Sequence, residues 1–314
     1  MTAPPTDPRA VSVVDVAKKY GATQALTSLS FDVERGEMFG LIGPDGAGKT
    51  TAIRLICGLL HADAGEVRVF GLDPVRQHRA LTERVGYLSQ RFSLYGDLTI
   101  DENVAFFAEI HGVRDYRQRR DQLLDLTQLT TFRGRLADRL SGGMKQKLAL
   151  ACTLIHEPEL ILLDEPTTGV DPVSRREFWK LLAEFLERGV TIVMSTPYLD
   201  EAERCTRVAL VHDGRVLAAD TPARLRTLIT GPMLEIVSRD VGRDADLVRA
   251  LPGVADVQIF GEWLHVTLTS ADATERFRSA LDAHTTGVIG IRAVPPSLED
   301  VFIAQLGARE RAHA

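Results

Sequence analysis

The segment Gly43-Pro44-Asp45-Gly46-Ala47-Gly48-Lys49-Thr50 has the spacing GxxxxGK[ST], with Thr51 following it. An apolar strand, Met38–Ile42, precedes it, and Ala52, Ile53, Leu55, Ile56 and Leu59 continue it as a helix. A loop of this kind turns successive backbone N–H groups toward a phosphate, and the helix N-terminus adds partial positive charge. Glycine is needed where a Cβ would block close approach or forbid the dihedrals. In this arrangement Lys49 reaches the β- and γ-phosphates and Thr50 ligates Mg²⁺. Downstream, the apolar run Leu160–Leu163 reads as a central parallel strand and ends in Asp164-Glu165-Pro166. A carboxylate where such a strand emerges is costly unless it meets a cation or donors. Asp164 is expected to hold the Mg²⁺, directly or through water, and Glu165 to take a proton from, or orient, the attacking water.

A third segment, Leu140-Ser141-Gly142-Gly143-Met144-Lys145-Gln146, opens another helix. Ser141 is a good N-cap, and Met144, Leu148, Ala151 and Ile155 repeat at helical spacing. It is a second glycine-flanked helix N-terminus able to bind an anion.

Alternating strand and helix signals place these segments in an α/β domain over residues 11–230. Val11–Val16, Leu29–Val33, Val85–Leu88 and Val190–Thr196 read as further strands. From about 93 to 157 the helix pattern takes over, with capping-box spacing at Thr99 and Glu102, a stripe of Val104, Phe107 and Ala108, and a stop at Gly112. That stretch is expected to be a helical insertion. Thr230-Gly231-Pro232 reads as a linker. Residues 231–306 then show two β-α-β halves, joined at the hairpin signal Gly261-Glu262, which suggests a small ferredoxin-like α+β domain. Its closing helix is expected over Leu298–Gln305, with residues 1–10 and 307–314 as tails.

The chain has 314 residues, 45% of them apolar and 25% charged, and a formal net charge of −6. This is globular composition without the basic excess that draws a nucleic-acid backbone onto a surface, so no nucleic-acid partner is expected. Cys57, Cys152 and Cys205 lack CxxC spacing and read as buried free thiols, which fits a reducing compartment. The N-terminus lacks the apolar core of a signal peptide, and no apolar stretch approaches the ~20 residues that span a bilayer. Action on a membrane would need a partner.

In this order the three segments resemble the ATP-binding-cassette (ABC) family, whose signature loop is Ser-Gly-Gly-x-x-Gln. The resemblance spans Val11 to about Thr230 and implies a P-loop ATPase domain with a helical subdomain, using ATP and Mg²⁺. By position, Tyr20 resembles the aromatic that stacks on adenine, and Gln90 the glutamine that touches Mg²⁺ and senses the membrane partner. Ser141, Gly142 and Gly143 would contact the γ-phosphate held by the opposite subunit of a dimer, and Asp171 would lie in the loop crossing that interface. Two positions depart from the pattern. Asp45 replaces an Asn, and is expected to face away from the phosphates or cap locally. Pro197 stands where the family usually places a histidine that contacts the γ-phosphate, and proline offers neither N–H nor side-chain donor.

Pro296-Ser297-Leu298-Glu299-Asp300-Val301-Phe302 is similar to the closing segment of drug-resistance- and polysaccharide-type ABC exporter ATPases. The implied protein is therefore the ATPase subunit of an exporter. It would be cytoplasmic and peripheral, a homodimer bound to a separately encoded permease. Residues between Gln90 and Thr99, including Phe92, Leu94 and Tyr95, are candidates for the groove that receives a permease helix or for ordinary loop packing. Two alternatives stand beside it: an assembly module that binds ATP but scarcely hydrolyses it, motivated by Pro197, and a soluble non-transport ABC ATPase.

Overall fold

The computed structural model describes residues 8–90, 94–284 and 287–313, and the chain divides into two compact units, with the boundary between Ala219 and Asp220.

The first unit carries nine strands: β1 (Arg9–Tyr20), β2 (Thr23–Glu34), β3 (Met38–Ile42), β4 (Ala64–Val69), β5 (Val85–Leu88), β6 (Leu160–Asp164), β7 (Thr191–Thr196), β8 (Arg207–His212) and β9 (Arg215–Asp220). They form one sheet in the order β4-β1-β2-β9-β8-β3-β7-β6-β5. β3, β6 and β7 are buried at every residue, as the central strands of a parallel sheet covered on both faces must be, and the polar Asp164, Ser195 and Thr196 fall at the C-terminal ends of β6 and β7. Because β3, β6 and β7 run parallel and in register, their C-terminal ends come out side by side. The loops after them are thereby gathered at one edge of the sheet, where open α/β sheets bind ligands.

β1 and β2 are longer than their sequence suggests. They pair as an antiparallel ribbon whose alternation is broken by register shifts, one of them between Val13 and Val16, where Asp15 takes φ 47°. Arg9 and Ala10 belong to β1, and Ala10 is fully buried, so they are not tail residues.

Helices α1 (Lys49–Ile56) and α2 (His78–Thr82) follow β3 and β4. Leu59 lies beyond α1 and is exposed, because the chain closes the helix with Leu59 N–H donating to Arg54 O. The insertion consists of α3 (Ile100–Ile110), α4 (Tyr116–Leu126) and α5 (Gly142–Thr153). Thr99 and Glu102 form the expected reciprocal capping box, and Gly112 (φ 68°) ends α3. Helices α6 (Pro172–Glu187) and α7 (Leu199–Ala202) complete the unit. All three cysteines are free and buried, and burial pushes their thiols up, leaving them poor nucleophiles.

One contact ties the insertion to the sheet and sets an acid limit. His111, after α3, and His156, after α5, stack with centroids 3.8 Å apart and planes 3° from parallel. His156 Nε2 lies 3.2 Å from the Val85 carbonyl oxygen, while its buried Nδ1 has no hydrogen-bond partner. Burial first, and the His111 neighbour second, lower the His156 pKa to about 4, and burial lowers that of His111. The unfolded chain therefore binds protons more readily than the folded one. Stability from the stack is complete above the ordinary imidazole value near 6.5 and is lost as pH falls from there toward 4. Thermal melts across this window should show a steeper acid loss for the wild type than for His156→Gln; equal slopes would contradict this assignment.

The second unit begins at Asp220, ten residues before the Thr230 turn, because Thr221 caps α8 (Pro222–Arg226), with proline in its first turn. It then follows β10 (Met233–Ser238), α9 (Val241–Arg249), β11 (Val254–Phe260), β12 (Trp263–Leu268), α10 (Ala273–His284), β13 (Val288–Val294) and α11 (Leu298–His313). The sheet is antiparallel with order β11-β12-β10-β13, the ferredoxin-like arrangement expected from the two halves. Leu234, Ile236, Val257, Leu264, Val266 and Phe277 fill its core. α11 continues past Gln305 to His313, where the sequence suggested a tail. Its start is pinned: Ser297 and Asp300 cap each other, and Asp300 Oδ1 lies 2.7 Å from His265 Nδ1 on β12.

Candidate nucleotide site

The loop from Gly43 to Gly48 leaves β3 and enters α1 through Gly48, which adopts φ 100°. A Cβ there would also sit 2.6 Å from Leu26 Cδ2 and 2.7 Å from Ala25 O, so both conformation and space demand glycine. Ala47 N–H donates to Pro44 O and closes the turn through the backbone. Asp45 has no capping role to fill. It sits exposed at the tip and is among the residues that line the adjoining cleft.

Lys49, only 4% exposed, donates from Nζ to Gly43 O at 2.8 Å and Pro44 O at 3.0 Å, with Glu165 Oε1 at 3.5 Å. The lysine thus already bridges the phosphate loop to the strand-end acid. Thr50 Oγ1 donates to Asp164 Oδ1 at 2.9 Å. Asp164 is 1% exposed, and its partners are hydroxyls, Thr50 and Ser195 (2.6 Å), with no ion pair among the described residues. Its charge is felt nearby: burial first, then Asp164, raises the Tyr87 phenol to about 12. A buried carboxylate flanked by a hydroxyl and lacking a cation offers the hard oxygen donors that Mg²⁺ selects. Thr50 and Asp164 fit that ion.

Glu165 takes φ 48°, an unusual conformation for a non-glycine residue. Its N–H is held by Ser195 O (3.1 Å) and Ser195 Oγ (3.0 Å). Its carboxylate accepts from Gln90 Nε2 at 2.9 Å and from Thr168 Oγ1 at 3.4 Å. Ser195 was not legible as a site residue, since nothing in its sequence context marks it. Only the parallel register of β6 and β7 sets it opposite Asp164.

Lys49, Thr50, Gln90, Glu165 and Thr168 line one cleft of about 570 Å³, in the usual size range of ligand pockets, with Asp164 and Ser195 buried behind them. Tyr20 (44% exposed), Thr23, Gln24, Pro197 and Tyr198 also line it. Ser141, Gly142 and Gly143 do not line it. Ser141 caps α5 through Met144 N–H and is exposed with Gly142, while Gly143 is buried where a Cβ would meet Ser174 Oγ at 2.2 Å. Asp171 caps α6 by accepting from Val173 and Ser174 N–H. Gln146, inside α5, donates to Pro166 O and so joins the signature helix to the strand-end loop. Of the three candidate groove residues, Phe92 lies outside the described residues. Tyr95 is 46% exposed, with its ring edge on Phe106 at 4.4 Å, and Leu94 lines a small cavity beside Phe107.

Residues 26–168 match the family model described as ABC transporter, and residues 221–306 match the ATP-binding protein DrrA1-3-like, C-terminal domain. The daunorubicin resistance ATP-binding protein DrrA3 of Streptomyces coeruleorubidus is 35% identical over 308 residues, 96% of this chain and 97% of its own length. The chain belongs to the ABC transporter ATP-binding protein family. It is an ABC-type ATPase whose second unit matches the DrrA1-3-like C-terminal domain. Among its relatives, the probable multidrug ABC transporter ATP-binding protein YbhF of Escherichia coli K12 is 42% identical over 289 residues, 90% of this chain. The chain spans about half (49%) of that protein's length. The ABC ATPase fold is also seen in a solved ATP-binding subunit of an ABC transporter, 32% identical, with a TM-score of 0.64 over 70% of this chain and 92% of that one.

Proposed function

We propose that this ABC ATPase binds and hydrolyses ATP with Mg²⁺, and thereby energises a separately encoded membrane permease for export. The observation that carries this reading is the convergence of Lys49, Thr50, Glu165 and Gln90 on one cleft, with the buried Asp164 held behind Thr50, within the distances given above. The amides of Gly46 to Thr50 and the Lys49 ammonium hold the phosphates, and Tyr20 offers a ring for the base. Mg²⁺, held by Thr50 and Asp164 with Gln90 nearby, would supply charge neutralisation at the β- and γ-oxygens. Glu165, aimed by Gln90, Thr168 and its Ser195-clamped backbone, orients the attacking water and takes its proton. The Lys49 ammonium 3.5 Å away keeps that carboxylate compensated until phosphate draws the lysine off.

The signature residues Ser141 and Gly142 face solvent and lie outside their own chain's cleft, so their anion-binding N-terminus serves a nucleotide on a second copy. ATP would then be sandwiched between two subunits, closing the pair and pushing on the permease from the cytoplasmic face. No helix among the described residues is long and apolar enough to cross a membrane.

Pro197 within the cleft favours a second reading, a nucleotide-gated module with scarcely any turnover. Phosphate release by the wild type and Glu165→Gln separates the two. A wild-type rate well above that of the variant supports the ATPase, and equal background rates support the gated module.

A further inference from the structure

We propose that Tyr198 donates the hydrogen bond to the γ-phosphoryl group that Pro197 cannot supply. This rests on the ATPase reading above and assigns one more residue to it.

Most donors at the exit of β7 and around Glu165 are already committed. Ser195 Oγ–H goes to Asp164, and Thr196, whose hydroxyl accepts from Tyr198 N–H at 3.1 Å, is fully buried and does not line the cleft. Gln90 and Thr168 donate to Glu165, and Lys49 to the loop carbonyls. Tyr198 is different. It lines the same cleft, is 39% exposed, and its phenolic hydroxyl makes no hydrogen bond among the described residues.

Its ring is also restrained. The Arg175 guanidinium lies 4.9 Å from the ring centroid, and is itself held by Glu201 at 2.7 Å and Asp200 at 3.0 Å. Glu201 in turn accepts from Thr167, two residues past Glu165, so the cation under the ring is referenced to the catalytic strand end. The backbone beneath the Tyr198 ring is tied by its own N–H to Thr196 Oγ1. A donor fixed in advance at the site of developing charge costs no reorganisation when the phosphoryl group transfers.

Tyr198→Phe removes only the hydroxyl and keeps the ring on Arg175. Measured on the full chain by phosphate release and by ATP affinity, it should lower kcat on the order of 10- to 100-fold, the usual worth of a hydrogen bond to a charged group. ATP affinity and melting temperature should stay near wild type. The double variant Pro197→His, Tyr198→Phe should regain most of the lost rate, because an imidazole then fills the donor's place. The proposal is overturned if Tyr198→Phe turns over at the wild-type rate while Glu165→Gln does not, or if the double variant stays as slow as the single one. If wild type and Glu165→Gln release phosphate alike, the ATPase reading itself fails and takes this assignment with it.

Discussion

Lys49→Ala is expected to leave the chain with no measurable stabilisation by ATP. A ligand at a hundred times its dissociation constant raises the stability of its receptor by about 2.7 kcal/mol, and the wild type should melt correspondingly higher. In the variant the point charge that spans the β- and γ-phosphates is gone. Charge-assisted bonds are worth about 1.5–3 kcal/mol each, so affinity should fall roughly a hundredfold or more. The ATP-free protein has to be melted as well, because Lys49 is buried and bonded to two carbonyl oxygens beside Glu165. Its loss leaves those groups short of a partner. A variant whose melting temperature rises with ATP as the wild type's does would remove the phosphate loop from the account.

Glu165→Gln should separate binding from chemistry. Glutamine keeps the size of the side chain and can still meet Gln90 and Thr168, but it cannot take a proton from water. General-base catalysis contributes typically 10²–10⁴-fold, and phosphate release should drop by that order while ATP still binds. Because the Lys49 ammonium no longer faces a carboxylate 3.5 Å away, it is freer to turn to phosphate, so ATP affinity should hold or rise. Loss of ATP binding in this variant would mean that Glu165 is structural. An unchanged rate would mean that another group is the base.

The two ends of this site differed in how far they could be read from sequence. The phosphate loop, the strand-end acids and the signature loop are contiguous, and each needs residue types that few other roles demand. What joins them is not contiguous. Ser195 clamps Asp164 across 31 residues of chain and the backbone of Glu165 across 30, and Gln146 reaches Pro166 across 20. Such pairs depend on which strands lie side by side, and no local pattern encodes that. Tyr198 is legible only as a neighbour of Pro197 until the structure shows it lining the same cleft as Glu165.

The fold shows the same division. The order of the second unit followed from alternation and one hairpin signal, because period-2 patterning and turn residues are local. Its starting point did not. Thr221-Pro222 is a helix start as clear as any other in the chain, yet the Thr230-Gly231-Pro232 turn is the stronger local break signal. The full length of β1 was also hidden, since bulges shift the alternation that marks a strand.

The central claim is that a triphosphate held by one copy is completed by the Ser141 loop of another. It can be tested in a Glu165→Gln background, where ATP stays unhydrolysed, by adding Gly142→Arg. A Cβ on Gly142 meets no atom within 4 Å in its own chain, so the added side chain points into open space rather than into the fold. Sedimentation with ATP should show Glu165→Gln as a dimer and the double variant as a monomer that still binds ATP with the same affinity. A double variant that dimerises with ATP as readily as Glu165→Gln would contradict the shared site.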